Sequence, residues 1–150
     1  MSEQQQKTER IVVGVDGSDS SKEALRWALR QAGLTGATVD AVMAWQFPPY
    51  VGALGWLPPT GDFQPEEIAR QVLTETVEEV VGTRPGARVR TVVEHGTAPD
   101  VLLRHARSAA LLVVGSRGHG GFTEALLGSV GQHCVQHAPC PVVVVRGPHG

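Results

Sequence analysis

Ile11-Val12-Val13-Gly14-Val15-Asp16-Gly17-Ser18 is a β-branched run that breaks off at glycine and small polar residues. Such a run reads as a short strand followed by a turn. Its apolar residues are continuous rather than alternating with polar ones, as in a strand covered on both faces. Behind it, Leu25, Ala28, Leu29 and Ala32 recur at the spacing of one helix face. Ser20 and Glu23 are placed as a capping box for that helix, and Gly33 as its stop.

The alternation continues outward from this unit. Val39 to Trp45 reads as a second strand. Pro65 opens a helix through Ile68, Val72, Thr76 and Val80, with Glu66 and Glu67 at its positive end and Gly82 at its stop. Val89 to Glu94 is a third strand, polar on one side as an edge strand is. Thr97 and Asp100 open a third helix carrying Val101, Leu102 and Ala106. Leu111 to Val114 is a fully apolar fourth strand, a last helix reaches about Ala138, and Val142 to Val145 is the fifth strand. Strands alternating with helices predict an α/β fold: one doubly wound parallel five-stranded sheet with helices on both faces. The expected organisation is a flexible tail over 1–9 and one folded domain over 10–147.

Composition narrows the function. Thirteen basic residues against fifteen acidic ones leave a net charge of −2, so no overall basic field points to nucleic acid or an anionic membrane. Met1 to Arg10 contains no apolar leader segment, and no apolar run approaches a membrane span. Two cysteines, Cys134 and Cys140, are too few for a disulfide framework, and the expected location is cytoplasmic. Residues 46–64 form a long connection with four prolines and the aromatics Phe47, Tyr50, Trp56 and Phe63; a lid over the site and plain disorder are both open readings.

Glycine is in excess, at 18 of 150 residues, and six of these lie between Gly115 and Gly131. Two more, Gly14 and Gly17, flank Asp16. Ligands in doubly wound sheets bind outside the carboxyl ends of the strands, where glycines let backbone N–H groups converge on anionic oxygens. Gly128-Ser129 opens the last helix, a natural seat for a second phosphate. The common nucleotide and hydrolase signatures are absent. A Walker loop needs a lysine after its last glycine, and the chain has only Lys7 and Lys22. No GxGxxG follows the first strand, and no GxSxG elbow occurs. His133 and His137 stand four apart with Cys134 between them; that spacing can bind zinc, but with no third ligand evident a solvated helix face is the better reading.

The spacing Gly115-x2-Gly118-x9-Gly128-Ser129, with Val12-Gly14-Val15-Asp16-Gly17-Ser18 upstream and Pro139-Cys140-Pro141-Val142-Val143-Val144-Val145 at the end, resembles the universal stress protein family. The likeness runs from about Arg10 to Arg146. It implies a Rossmann-like, adenine nucleotide alpha hydrolase-like sheet of order 3-2-1-4-5 and the ATP-binding branch of the family. By position, Asp16 would contact the adenosine end with Gly14 and Val15 beside it. Ala44 would line the adenine pocket, and Val114 would support it through the backbone. Gly115, Arg117, Gly118, Gly128, Ser129 and Val130 would surround ribose and phosphates, and Asp16 is a possible Mg²⁺ contact. Ala110 departs from the family, which often has aspartate there; only local capping should change.

The resemblance also implies a homodimer through Val142 to Val145, and an exposed edge of four valines invites such pairing. With one cation, Arg117, and His119 in the glycine loop, dense stabilisation of a transferring phosphoryl group is not provided. The expected function is therefore an ATP-holding regulatory or stress-response module acting on an unidentified protein partner. A slow ATPase or self-phosphorylating enzyme, and a cyclic AMP-binding protein, are the alternatives.

Overall fold

Five strands and four helices alternate among the residues that the computed structural model describes, which are 9–47, 64–82, 88–116 and 128–147. They run β1 (Arg10–Gly14), α1 (Asp19–Thr35), β2 (Thr38–Trp45), α2 (Pro65–Val81), β3 (Val89–His95), α3 (Ala98–Ala106), β4 (Leu111–Gly115), α4 (Ser129–His137) and β5 (Val142–Val145). Every strand pair is parallel, as the alternation predicts, and the spatial order is β3-β2-β1-β4-β5, as the resemblance implies. In register, Val13 stands between Ala41 of β2 and Val113 of β4. The amino-terminal eight residues, the aromatic stretch 48–63 and the glycine-loop residues Arg117, Gly118 and His119 lie outside the described residues.

Period-two side-chain alternation divides the interior into two cores. Ile11, Val13 and Val15 of the first strand segment, with Val39 and Ala41 of β2 and Val113 of β4, pack under α1 and α2 through Leu25, Leu29 and Leu73. Val12, Val42, Leu112 and Val114 face the other way and pack under α3 and α4 through Val101, Leu102 and Cys134. Both faces of the central strands are thereby dry, which is why their sequences read as unbroken apolar runs.

Helix ends agree with the sequence in α2 and α3 and differ at both ends of α1. Pro65 is the first residue of α2, and the Thr97 hydroxyl accepts the Asp100 N–H at 3.3 Å to cap α3. In α1 the cap is Ser18, whose Oγ accepts the Ser21 N–H at 3.2 Å, rather than Ser20, which is buried inside the first turn. The stop is Gly36 rather than Gly33. Gly36 adopts φ 82°, a left-handed conformation that glycine takes without penalty, and its N–H returns to the Ala32 carbonyl at 2.8 Å. Gly33 is carried inside the helix, at a cost of about 1 kcal/mol relative to alanine.

Two ionic clusters brace the sheet. Asp40, buried on β2, accepts from Arg10 Nη1 and Arg90 Nη2, each at 3.0 Å, and so joins β1, β2 and β3 at their amino-terminal half. Arg10 also donates to Ser108 Oγ at 2.6 Å. Toward the other end, Glu94 of β3 pairs with His105 Nε2 at 2.8 Å and Arg104 Nη1 at 2.5 Å, tying the edge strand to α3. The hydrogen bond from His105, helped by the charges of His105 and Arg104 and opposed by desolvation, holds the Glu94 carboxyl below its ordinary value of 4.5.

A carboxyl held low in the folded state contributes stability above its unfolded value and loses it as pH falls through the folded one. The Glu94→Gln variant is therefore expected to show a shallower loss of urea-unfolding midpoint than the parent between about pH 5 and pH 3. Parallel pH profiles would remove Glu94 from the acid response.

The sheet's two edges differ in chemistry. β3 exposes charged and polar side chains, including Arg90 and His95, which blunt an edge. β5 is four half-buried valines. Leu112 N–H donates to Pro141 O at 3.0 Å and Ser116 N–H to Val145 O at 2.8 Å, so residues 141, 143 and 145 turn their backbone groups toward β4. In a parallel ladder the intervening Val142 and Val144 then direct N–H and C=O outward, away from β4.

Candidate functional site

β1 and β4 lie side by side, yet the chain leaves them toward opposite faces. β1 runs into α1 on the first face, and β4 leads through 116–128 into α4 on the second. The divergence opens a cleft at the carboxyl end of the sheet, the switch point where ligands bind in open α/β sheets. Gly14, Val15, Asp16 and Ser21 form one side of it. Val42 and Ala44 of β2, with Ala98 and Leu102 of α3, form its apolar wall. Val114 and Gly115 of β4 and Gly128, Val130 and Gly131 around the start of α4 complete it.

Eight positions singled out in the sequence thus meet in one cleft: Gly14, Val15, Asp16, Ala44, Val114, Gly115, Gly128 and Val130. Ser129 stands at the first position of α4 but is exposed and does not line it. Five lining residues were not read from the sequence. Val42 and Gly131 carried a usable signal: Val42 shares the β2 face of Ala44 two residues on, and Gly131 lies one helical turn beyond Gly128. Ser21 enters the cleft from the first turn of α1, where the sequence shows only small polar residues. Ala98 and Leu102 reach the cleft only through the packing of α3 on β1 and β2, which local pattern does not encode.

Hydrogen bonds hold the rim in shape. Val15 N–H donates to Val42 O at 2.9 Å, extending the β1–β2 pairing to the cleft. Asp16 Oδ1 accepts the Ser18 N–H at 2.9 Å, while Ser21 Oγ donates to Ser18 O at 3.0 Å and accepts the Asp16 N–H at 3.4 Å. No described residue bonds to Asp16 Oδ2, which leaves that oxygen for a ligand hydroxyl or cation. On the other side, Gly128 N–H donates to Ser116 O at 2.7 Å and pins the start of α4 to the end of β4.

Close packing sets the glycine positions. A Cβ on Gly115 would stand 2.7 Å from the Ser20 carbonyl carbon and 2.9 Å from its oxygen. A Cβ on Gly14 would meet Leu102 Cδ1 at 2.8 Å. The first turn of α1 therefore lies against β4 at backbone distance.

Chemically, the cleft combines an aliphatic slot with a polar rim. Val42, Ala44, Leu102 and Val114 offer a surface suited to a flat apolar ring. The Gly128 cap of α4 makes no side-chain hydrogen bond, and there is no acidic residue in the first turn, so the first N–H groups and the positive end of the helix are available to an anion. Asp16 is the one charged side chain among the described lining residues. Among the described residues no group of three or more His, Cys, Asp or Glu side chains converges for a metal. Cys134 is buried beneath α4, and burial pushes its thiol up to about 11, so it stays protonated at neutral pH.

Fold and cleft together define a doubly wound α/β protein with a ligand crevice at its switch point. The chain belongs to the universal stress protein family: residues 7–146 match the model described as the Universal stress protein family. A universal stress protein of Mycolicibacterium smegmatis is 38% identical over 136 residues, covering 91% of this chain and 45% of the relative. Universal stress protein MJ0531 of Methanocaldococcus jannaschii is 31% identical over 147 residues, covering 93% of this chain and 82% of the relative. This chain spans about half the length of the mycobacterial relatives it matches. Among solved structures, the universal stress protein from Archaeoglobus fulgidus in complex with dAMP superposes with a TM-score of 0.65 at 25% identity, covering 93% of this chain and 98% of that one. No helix among the described residues is long and apolar enough to cross a membrane.

Proposed function

We propose that the cleft holds an adenine nucleotide, ATP in the first instance, and that the domain is a nucleotide-controlled regulatory module acting on a protein partner. The observation that carries this reading is the meeting of an aliphatic slot and the uncapped amino end of α4 at the β1–β4 switch point. The dAMP complex of the Archaeoglobus fulgidus relative supports an adenine ligand, and the spacing Gly115-x2-Gly118-x9-Gly128-Ser129 supports a polyphosphate. In this reading the base lies against Val42 and Ala44, supported by Val114. Asp16, beside Gly14 and Val15, contacts the ribose. Gly115, Arg117, Gly118, Gly128 and Val130 surround the phosphates, to which Ser129 offers its backbone N–H at the first position of α4. Mg²⁺ requires oxygen ligands and keeps several waters, so the single Asp16 carboxylate fits it only together with ligand phosphates.

Binding without fast turnover is the reading favoured here. Between Gly115 and Gly128 the chain supplies only Arg117 and His119 as basic residues, too few for dense stabilisation of a transferring phosphoryl group. ATP incubated with an excess of protein is expected to be recovered largely intact. Rapid single-turnover conversion to ADP, or labelling of the protein by the γ-phosphoryl, would favour the enzymatic alternative. Cyclic AMP is the competing ligand, since a small cyclic phosphate would leave the Gly128–Ser129 end unused.

The valine edge supports a homodimer through β5, with Val142 and Val144 offering their outward backbone groups to a second copy. Two clefts would then be carried on one continuous sheet.

A further inference from the structure

We propose that His133 and His137 form an open two-nitrogen site for a borderline divalent transition metal, Ni²⁺, Cu²⁺ or Zn²⁺, on the outer face of α4. Their rings stand with centroids 4.6 Å apart and planes inclined by 44°. Both side chains are exposed. Residues four apart on a helix share a face, and paired imidazoles at this spacing are a known way to hold a metal from one helix. Neutral imidazole suits these borderline metals, whereas Mg²⁺ and Ca²⁺ prefer oxygen. Cys134 lies between the two histidines in sequence but points into the core with a protonated thiol, so it supplies no third ligand. The site is therefore an open chelate whose remaining positions are taken by water or a small anion, not a closed structural zinc site.

Two further observations favour a cation at this place. The pair occupies the later turns of α4, where the macrodipole is negative, so a metal is stabilised there as an anion is at the opposite end. α4 is also intrinsically weak. It has nine residues, a cap without a side-chain hydrogen bond, and Gly131 in its first turn, so a chelate across one turn has much to add. Arg104 and Arg107 of α3 flank His137 across a shared groove that also contains Asp100, and their charge limits the affinity.

The test is a calorimetric titration of untagged protein with NiCl₂, a metal that does not oxidise the thiols. The parent is expected to bind one Ni²⁺ per chain and to gain thermal stability from it. His133→Asn and His137→Asn are each expected to weaken binding by at least about tenfold, because even the loss of a supporting partner of a metal ligand costs about 10–100-fold. Paramagnetic broadening of histidine C–H resonances in the parent is expected to centre on His133 and His137. Absence of binding by the parent, equal binding by the double variant, or broadening centred on other histidines would each overturn the site.

Discussion

Gly115→Val is expected to destabilise the domain by about 3 kcal/mol or more, the upper end of what overpacking costs. The reason lies in what surrounds the position. The added Cβ would stand 2.7 Å and 2.9 Å from the carbonyl carbon and oxygen of Ser20, which are backbone atoms that no rotamer change can clear. Ser20 cannot retreat, because Gly147 approaches it from the β5 side, with a would-be Cβ 3.3 Å from Ser20 Cβ. α1 as a whole is fixed by Ala24, Leu25 and Ala28, all fully buried. The same contact forms one corner of the cleft, so stability and ligand geometry should fall together. Gly33→Ala is the internal control. Nothing lies within 4 Å of a Cβ there, and alanine in a helix interior should raise stability by about 1 kcal/mol. Urea unfolding of the two variants checks both signs, and equal effects would contradict the packing account.

Val144→Pro is expected to convert the proposed homodimer into a monomer while leaving each protomer folded. The parallel register gives Val142 and Val144 outward backbone groups, so proline at 144 removes a donor from the free edge and not from the ladder with β4. Val144 is half-buried against the α3–α4 core, and proline keeps that contact apolar. Sedimentation velocity should show the parent near twice the variant's mass, with matching circular dichroism. A variant that remains dimeric would place the interface elsewhere, for instance on helix residues such as Ile68, which is 57% exposed.

Much of this architecture is legible in the chain because both sheet faces are covered. Ile11 to Val15 and Leu111 to Val114 are unbroken apolar runs for the same reason that they are central: helices dry them from both sides. The site is legible for a related reason, since Gly14, Gly115 and Gly128 stand at places of close packing or chain reversal near the ends of such strands. Features that depend on distant partners are not. Asp40 interrupts the apolar run of β2, and its burial makes sense only with Arg10 and Arg90 on the flanking strands. Leu102 reads as an ordinary core residue of α3, and its place in the cleft comes from its approach to Gly14. Gly33 and Gly36 both resemble a helix stop, and only the backbone conformation separates them.

The central claim is that one cleft, built where β1 and β4 part, holds ATP through its base and its phosphates. Equilibrium titration of ATP and of cyclic AMP into the parent protein and into Gly128→Leu tests it most directly. Gly128 is buried at the amino end of α4, where a leucine side chain would occupy the path of the phosphates. The account predicts one saturable ATP site per chain in the parent, loss of ATP binding in the variant, and retained cyclic AMP binding if that smaller ligand uses only the base and ribose end. A parent protein that binds no ATP, or a variant that binds it as well as the parent, would contradict the account.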